Sequence, residues 1–273
     1  MEPAPAPRPA STVIVCRPHE AGFQVLLVKR HGSSGFMAGA HVFPGGRVDD
    51  DDRVGDAALA QVARALLDGA LEERAALGFV NAAVRETREE ANVDVTAAAL
   101  LPWSWWITPA VEPKRFDTRF FLCAVPASTT AVVDEHEAVS HVWLTPRDAL
   151  AAFMTGEIAL APPTLATLED LVPYATMADA ARSVVRPVRA ICPRIVPTDD
   201  GLVLALPGDP LHEEAQPAFA HRSRFVLAEG GRFASAFVSR AVPANEACDD
   251  DSQQFRRELR LVHIAANSGC VAP

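Results

Sequence analysis

Two runs rich in β-branched and aliphatic residues, Thr12 to Cys16 and Phe23 to Lys29, flank a polar stretch from Pro18 to Gly22. Apolar runs punctuated by turn residues in this way predict neighbouring antiparallel strands. Further strands are expected at Ala40 to Phe43, Arg119 to Val125 and Ser140 to Leu144. Between the third and fourth runs the period changes. Val80 to Ala91 places Ala82, Ala83, Val84 and Thr87 on one side, predicting a helix that packs its small residues on a sheet and turns its glutamates outward. Asp56 to Gly78 is Ala/Leu-rich at helical spacing and broken at Gly69, which predicts one or two further helices. Beyond Leu150, Pro163 to Val184 reads as a helix in two parts around Pro173. Short β-like runs follow at Ala190 to Val196, Leu202 to Leu206, Arg224 to Leu227 and Phe233 to Val238, with turns at Asp199-Asp200-Gly201 and Pro207 to Pro210. After Ala241 the chain reads as a solvated tail with an amphipathic piece at Phe255 to Ile264.

The predicted helix carries the first sign of chemistry. Glu86, Glu89 and Glu90 stand at i, i+3 and i+4, so their carboxylates share a face and repel one another. Their position in a last turn also opposes the helix dipole. A divalent cation reverses the sign of that cost, and hard carboxylate oxygens suit Mg²⁺ or Mn²⁺. Taken alone, a solvated acidic face explains the pattern as well. Upstream, His41-Val42-Phe43-Pro44-Gly45-Gly46-Arg47-Val48-Asp49 reads as a short strand entering a Pro-Gly-Gly turn, where backbone can approach a ligand closely.

The turn and the glutamates together resemble the box of the Nudix hydrolases, G-x5-E-x7-R-E-U-x-E-E-x-G-U, with U a bulky aliphatic residue. Gly46 fits the leading glycine, and Arg85, Glu86, Glu89 and Glu90 fit the R-E and E-E core. Thr87 stands in place of an aliphatic residue, and Asn92 replaces the late glycine, a mild change because Asn tolerates the left-handed conformation just past a helix end. Residues 50–81 form an insertion inside the box. The box's first glutamate is left unassigned, with Glu72 and Glu73 as weak candidates, while the aspartate run Asp49 to Asp52 reads mainly as solvated, Asp49 excepted. Gly35 to Gly46 and Lys114 to Pro126 resemble more narrowly the branch that includes acyl-coenzyme A diphosphatases, which also carries an insertion in its box.

The resemblance implies an α+β fold, a Nudix-like α/β/α sandwich with a mixed sheet. The expected organisation is a Pro/Ala arm at 1–10, a Nudix domain at 11–155 and a C-terminal α/β extension at 156–273, which either caps the substrate pocket or builds a homodimer interface. It implies metal-dependent hydrolysis of a diphosphate linkage, most closely of CoA or acyl-CoA to 3′,5′-ADP and (acyl-)phosphopantetheine. ADP-ribose, NADH or another nucleoside diphosphate derivative is the alternative substrate, and a noncatalytic nucleotide sensor the alternative role. Glu86, Glu89 and Glu90, with the Gly46 carbonyl, are the implied ligands of Mg²⁺ or Mn²⁺. Arg85 is the implied orienting arginine, by virtue of its planar fork. Glu137 stands where relatives place a further metal-binding or general-base glutamate, with Glu135 as its substitute and His136 as a loop histidine. Arg30 and Arg115 are expected to contact substrate phosphates, more weakly Lys29 and Lys114, and Phe43 and Trp106 to wall the pocket. Core and interface packing is the readier use of the Trp103, Trp105 and Trp106 cluster.

Composition sharpens this picture without redirecting it. The chain has 273 residues, 49% of them hydrophobic, enough for a sizeable core. A net charge of −10 argues against a general nucleic-acid binder, which needs a basic surplus. The five cysteines, Cys16, Cys123, Cys192, Cys248 and Cys270, show neither a CxxC nor a mixed Cys/His spacing, so no disulfide framework or structural zinc is expected, and a cytoplasmic enzyme is the default reading. No signal peptide or membrane-spanning stretch is apparent.

Overall fold

The computed structural model describes residues 4–31, 39–133, 138–198, 201–227 and 233–236. In chain order the elements are β1 (Arg8–His19), β2 (Gly22–Arg30), β3 (His41–Val42), β4 (Gly45–Arg47), α1 (Ala57–Leu66), α2 (Glu73–Ala91), β5 (Leu100–Ile107), β6 (Phe116–Ala124) and β7 (Ala138–Leu144). There follow α3 (Pro146–Thr155), α4 (Pro162–Leu171), α5 (Met177–Ser183), β8 (Ala190–Ile191), β9 (Arg194–Thr198), β10 (Gly201–Ala205), β11 (Arg224–Leu227) and β12 (Phe233–Ala236).

β1 is central because both of its faces are apolar: Val13, Ile14, Val15 and Cys16 are all buried. It runs parallel to β6, from Arg8 opposite Phe116 to Cys16 opposite Ala124. Its other edge is shared, with Ala10 to Thr12 pairing antiparallel with β4 and Cys16 to His19 with β2. The sheet order is β3-β2-β1-β6-β5-β8, with β7 also on β2, so parallel and antiparallel pairs are mixed. β1 starts within the expected Pro/Ala arm: Ala10 is buried and Arg8 to Ala10 already pair with β6.

On one face of the sheet Val13, Val15, Leu26, Val28 and Phe121 pack with Ala60 and Ala63 of α1 and with Leu77, Val80 and Ala83 of α2. On the other, Ile14, Cys16, Val25, Leu27, Phe120 and Leu122 pack with Phe153 of α3, with Leu165 and Leu168 of α4, and with Leu204, Leu206 and Phe225. The last three lie in or beside a second sheet of order β12-β11-β10-β9. The result is the expected sandwich, with the C-terminal strands sharing the core of its second face.

Most elements fall where the pattern puts them, including α4 and α5 on either side of Pro173 and β11 at Arg224–Leu227. Three do not. α2 begins seven residues before the expected Val80, because Glu73 to Phe79 of the insertion continue the same helix. β5 was masked by Pro102 in its interior; the proline is tolerated because the β5–β6 register shifts between Pro102 and Ser104. The aspartate run includes a short 3₁₀ turn, Asp51–Arg53. The segment 199–200 and the predicted tail pieces lie outside the described residues. Among the described residues no helix is long and apolar enough to cross a membrane.

Candidate active site

α2 lies across the start of β1 and over β4, and Ser11 fixes it there by donating its hydroxyl to the Phe79 carbonyl at 2.6 Å. Ala82, Ala83 and Thr87 are buried, as expected for the sheet-facing side, and Thr87 returns its hydroxyl to the Ala83 carbonyl at 2.7 Å. The helix stops at Asn92, which adopts the left-handed conformation (φ 51°, ψ 38°) and sends its N–H to Arg88. Asn therefore does here what glycine does in the resembling box.

This packing brings the last turns of α2 against the Pro-Gly-Gly turn. A Cβ on Gly46 would lie 2.4 Å from the Glu86 carboxylate, so any side chain there would push that carboxylate out of place. The Gly45 N–H donates to Glu90 Oε2 at 2.9 Å. A Cβ at Gly45 would meet the Ser11 carbonyl oxygen at 2.3 Å. The two glycines thus allow β4 to thread between β1 and the two glutamates. Glu86 is 8% exposed, which corrects the expectation that all three glutamates face outward; its carboxylate turns onto Gly46 while Glu89 stays exposed.

Arg85 organises the rest. Its Nη1 donates to Glu86 Oε1 at 2.9 Å and to Glu89 Oε2 at 2.8 Å, and its Nη2 donates to the Arg47 carbonyl at 2.9 Å. Its strongest partner is Asp52, held by Nε at 3.0 Å and Nη2 at 2.8 Å in a two-pronged pair. The bond to Asp52, then those to the two glutamates, outweigh burial and hold the guanidinium's pKa above its ordinary value.

Asp52 resolves the question of the box's first acid. It sits six residues after Gly46, the spacing the box prescribes, and is only 5% exposed. Its Oδ2 also accepts the Asp49 N–H at 2.8 Å, and the Asn81 side chain holds its turn by donating to the Asp52 and Val54 carbonyls at 2.8 and 2.9 Å. Glu72 and Glu73 are excluded: they are exposed at the far end of α2, roughly 20 Å from Glu86 by the helical rise of about 1.5 Å per residue. Asp52 went unread because it ended a run of like charges. The overlooked signal was its distance from Gly46.

Carboxylates pressed against a glycine backbone form a donor set that fits a hard divalent cation. Among the described residues no three acidic, histidine or cysteine side chains already form a metal cluster, and Arg85 takes one oxygen each of Glu86 and Glu89. Glu135, His136 and Glu137 lie outside the described residues.

A pocket of about 200 Å³ opens beside the same turn, on the sheet face opposite α2. Arg30, Phe43, Gly45, Trp106, Phe120 and Leu204 are among its walls, so Gly45 borders both the pocket and the Glu90 carboxylate. Of the expected substrate residues, Arg30, Phe43 and Trp106 line it. Arg115 does not; its guanidinium is tied to the Thr108 carbonyl at 3.0 Å and the Pro5 carbonyl at 2.9 Å, strapping the chain's start to the β5–β6 connection. Trp105 faces the other way from Trp106, donating to Asp117 at 2.6 Å with Arg119 stacked on it at 3.4 Å, while Trp103 packs on the same core as Trp106.

Comparison with known proteins agrees with this geometry. The family model described as the NUDT19 Nudix domain matches residues 89–171. The chain is 29% identical to acyl-coenzyme A diphosphatase NUDT19 of Homo sapiens, over 76% of this chain and 77% of that protein. It is 32% identical to the Xenopus laevis protein of the same name, over 50% of this chain and 40% of the relative. It is 27% identical to the putative nudix hydrolase 7 of Caenorhabditis elegans, over 73% and 72%. Among solved structures, a NUDIX hydrolase from Alicyclobacillus acidocaldarius superposes with a TM-score of 0.55 at 24% identity, covering 66% of this chain and 97% of that one, a likeness of fold. An interrupted box that folding closes again, a matching family model and relatives named as diphosphatases agree: the chain is similar to the Nudix hydrolases, and within them to the NUDT19 branch.

Proposed function

We propose that this enzyme hydrolyses the diphosphate of CoA or acyl-CoA, releasing 3′,5′-ADP and (acyl-)phosphopantetheine. The observation that carries the reading is the junction at Gly45, where the carboxylate-bearing end of α2 meets an apolar pocket. Cleavage of a charged diphosphate attached to a long, weakly polar arm requires those two environments side by side. The names of the relatives point to the same substrate.

Arg85 holds Glu86 and Glu89 in fixed rotamers, and the Gly45 N–H does the same for Glu90. This preorganisation removes the need to order three long side chains during turnover. Nudix hydrolases generally require a divalent metal; Glu86, Glu89 and Glu90 with the Gly46 carbonyl would hold Mg²⁺ or Mn²⁺, which neutralises diphosphate charge and lowers the pKa of a bound water. Glu90, held by the Gly45 N–H, or else Glu137, would accept the proton from the attacking water. Arg30, at the end of β2, supplies positive charge on the pocket side.

Mass-resolved product analysis with Mg²⁺ or Mn²⁺ and a panel of CoA, acetyl-CoA, a long-chain acyl-CoA, ADP-ribose and NADH tests the reading. Release of 3′,5′-ADP with a phosphopantetheine is the expected result. AMP from ADP-ribose or NADH, with CoA untouched, replaces the substrate.

A further inference from the structure

Two residues that line the pocket each carry a buried N–H with no hydrogen-bond partner among the described residues: Trp106 at its indole Nε1 and Arg30 at its Nε. Trp106 as a whole is 4% exposed. Buried donors are nearly always satisfied in folded proteins, and an unsatisfied one costs about 1–3 kcal/mol. Two of them on the walls of one mainly apolar pocket point to a ligand that brings acceptor oxygens.

The position of Trp106 depends on the C-terminal segment. Phe219 packs on its ring with centroids 5.9 Å apart, and the Arg222 guanidinium lies 4.3 Å above the Phe219 ring from its other contacts. Arg222 is itself locked: its side chain is fully buried, with Asp170 at 2.7 Å and Glu169 at 3.0 Å, both on α4. Glu169 is fixed in turn by the Ser235 hydroxyl of β12 at 2.7 Å. A relay of named contacts therefore runs from α4 through Arg222 and Phe219 to the pocket wall. The same segment adds Leu204 of β10 and Pro193 directly to the lining.

We propose that Trp106 is a specificity-determining donor of the substrate pocket and that Phe219, clamped by Arg222, is the positioning residue that holds it. The pocket, about 200 Å³, is smaller than the roughly 300–1,000 Å³ of sites that enclose a whole ligand, so it takes one arm of the substrate. Its walls select an apolar arm carrying spaced acceptor oxygens. A pantetheine chain, with methylenes interrupted by amide carbonyls, has that chemistry, and in this respect the inference rests on the CoA reading. The C-terminal strands thereby become part of the specificity apparatus, although they contribute nothing to the carboxylate cluster.

The test is a double-mutant cycle on the full-length protein with Trp106→Phe, which keeps the ring and deletes the N–H, and Phe219→Ala. KM and kcat are measured for CoA with metal, and Kd for CoA by calorimetry in EDTA. Each single variant is expected to raise KM and Kd about tenfold while kcat stays within about threefold, because the lost bond is made equally in ground and transition states. The double variant should be no worse than the poorer single, and Phe219→Tyr should restore wild-type values. Independent, multiplicative losses, or loss of kcat at constant KM, overturn the positioning role. Phe219→Leu, which retains more buried volume, is run in parallel, and thermal melting confirms that every variant folds. Binding without turnover in the wild type would remove the CoA hydrolysis reading and leave the cycle legible from Kd. Turnover with no coupling would remove this inference alone, and failure of the wild type to bind CoA at all would overturn it as well.

Discussion

Arg85 grips Asp52 through two parallel hydrogen bonds, at 3.0 and 2.8 Å, although 32 residues separate them in sequence. The pair closes the loop formed by the insertion and returns the box to register. Its acceptor is buried, so the bond cannot be replaced by water without rearrangement. Asp52→Asn is therefore expected to lower kcat roughly 10- to 100-fold, as loss of an outer partner of a metal-binding group commonly does. Steady-state kinetics on CoA check this; unchanged turnover would mean that Arg85 is oriented well enough by Glu86, Glu89 and Arg47 alone.

The two glycines separate function from stability. Gly46→Ala drives a methyl into the Glu86 carboxylate, which is the end of a side chain and moves aside, so activity should collapse while melting temperature changes little. Gly45→Ala drives a methyl into backbone at Ser11 and Thr12, which cannot move without disturbing β1, and should destabilise by about 1–3 kcal/mol or more. Thermal melts beside kcat for the two variants distinguish the effects.

Glu89→Gln and Glu90→Gln should each reduce kcat by about 10²-fold or more, the scale of losing a positioned acid–base or metal-binding group. Glu89 is exposed, and Glu90 as Gln still has an oxygen for the Gly45 N–H, so both variants should melt near wild type. Full turnover by both would exclude the helix end as the reaction centre.

Chelation should stop product formation and leave the fold. The carboxylates have protein partners of their own in Arg85 and Gly45, so EDTA is expected to shift the melting temperature by no more than a few degrees. Readdition of Mg²⁺ or Mn²⁺ should restore activity. Unfolding in EDTA would instead assign the ion a structural role.

An acid-linked loss of stability is expected in the C-terminal segment. Asp209 is fully buried and accepts from Ser223 at 2.7 Å, from Arg224 at 2.8 Å twice and from the Leu211 N–H at 2.9 Å. Burial pushes its pKa up, but Arg224, Leu211 and Ser223 together more than offset this, and the carboxyl is held below its ordinary 3.8. On acidification the unfolded chain takes up this proton before the folded one. The stabilisation is thus complete above the ordinary value and lost as pH falls through the lower folded-state value. Asp209→Asn should destabilise at neutral pH by on the order of 3 kcal/mol and flatten the acid limb of a melting-temperature profile.

The sandwich and the box helix were legible because each leaves a local trace. β1 and β2 are continuous apolar runs bounded by turn residues, buried on both faces, and Glu86, Glu89 and Glu90 repeat at helical spacing. What escaped was written in relations between distant segments. Asp52 becomes meaningful only when α2 brings Arg85 beside it, and in sequence it is one charge among four. β5 hid behind a proline that a register shift accommodates. Arg115 invited a phosphate-binding role by its neighbours, yet its Nε and Nη1 donate to two carbonyls and it lies outside the pocket lining. The link from Phe219 to Trp106 joins residues more than a hundred positions apart, each of which reads locally as ordinary packing.

The parallel pairing of β1 with β6 also sets an order of events for the chain as it is made. β1 starts at Arg8, but its long partner starts at Phe116, so one whole edge of this apolar strand waits for more than a hundred residues of synthesis. Until then the nascent chain exposes a sticky strand edge, the form of exposure that leads to intermolecular pairing. A fragment ending before residue 116 should aggregate during expression, whereas one that includes β6 gives β1 a partner, so the sheet that carries the catalytic turn is born late and all at once.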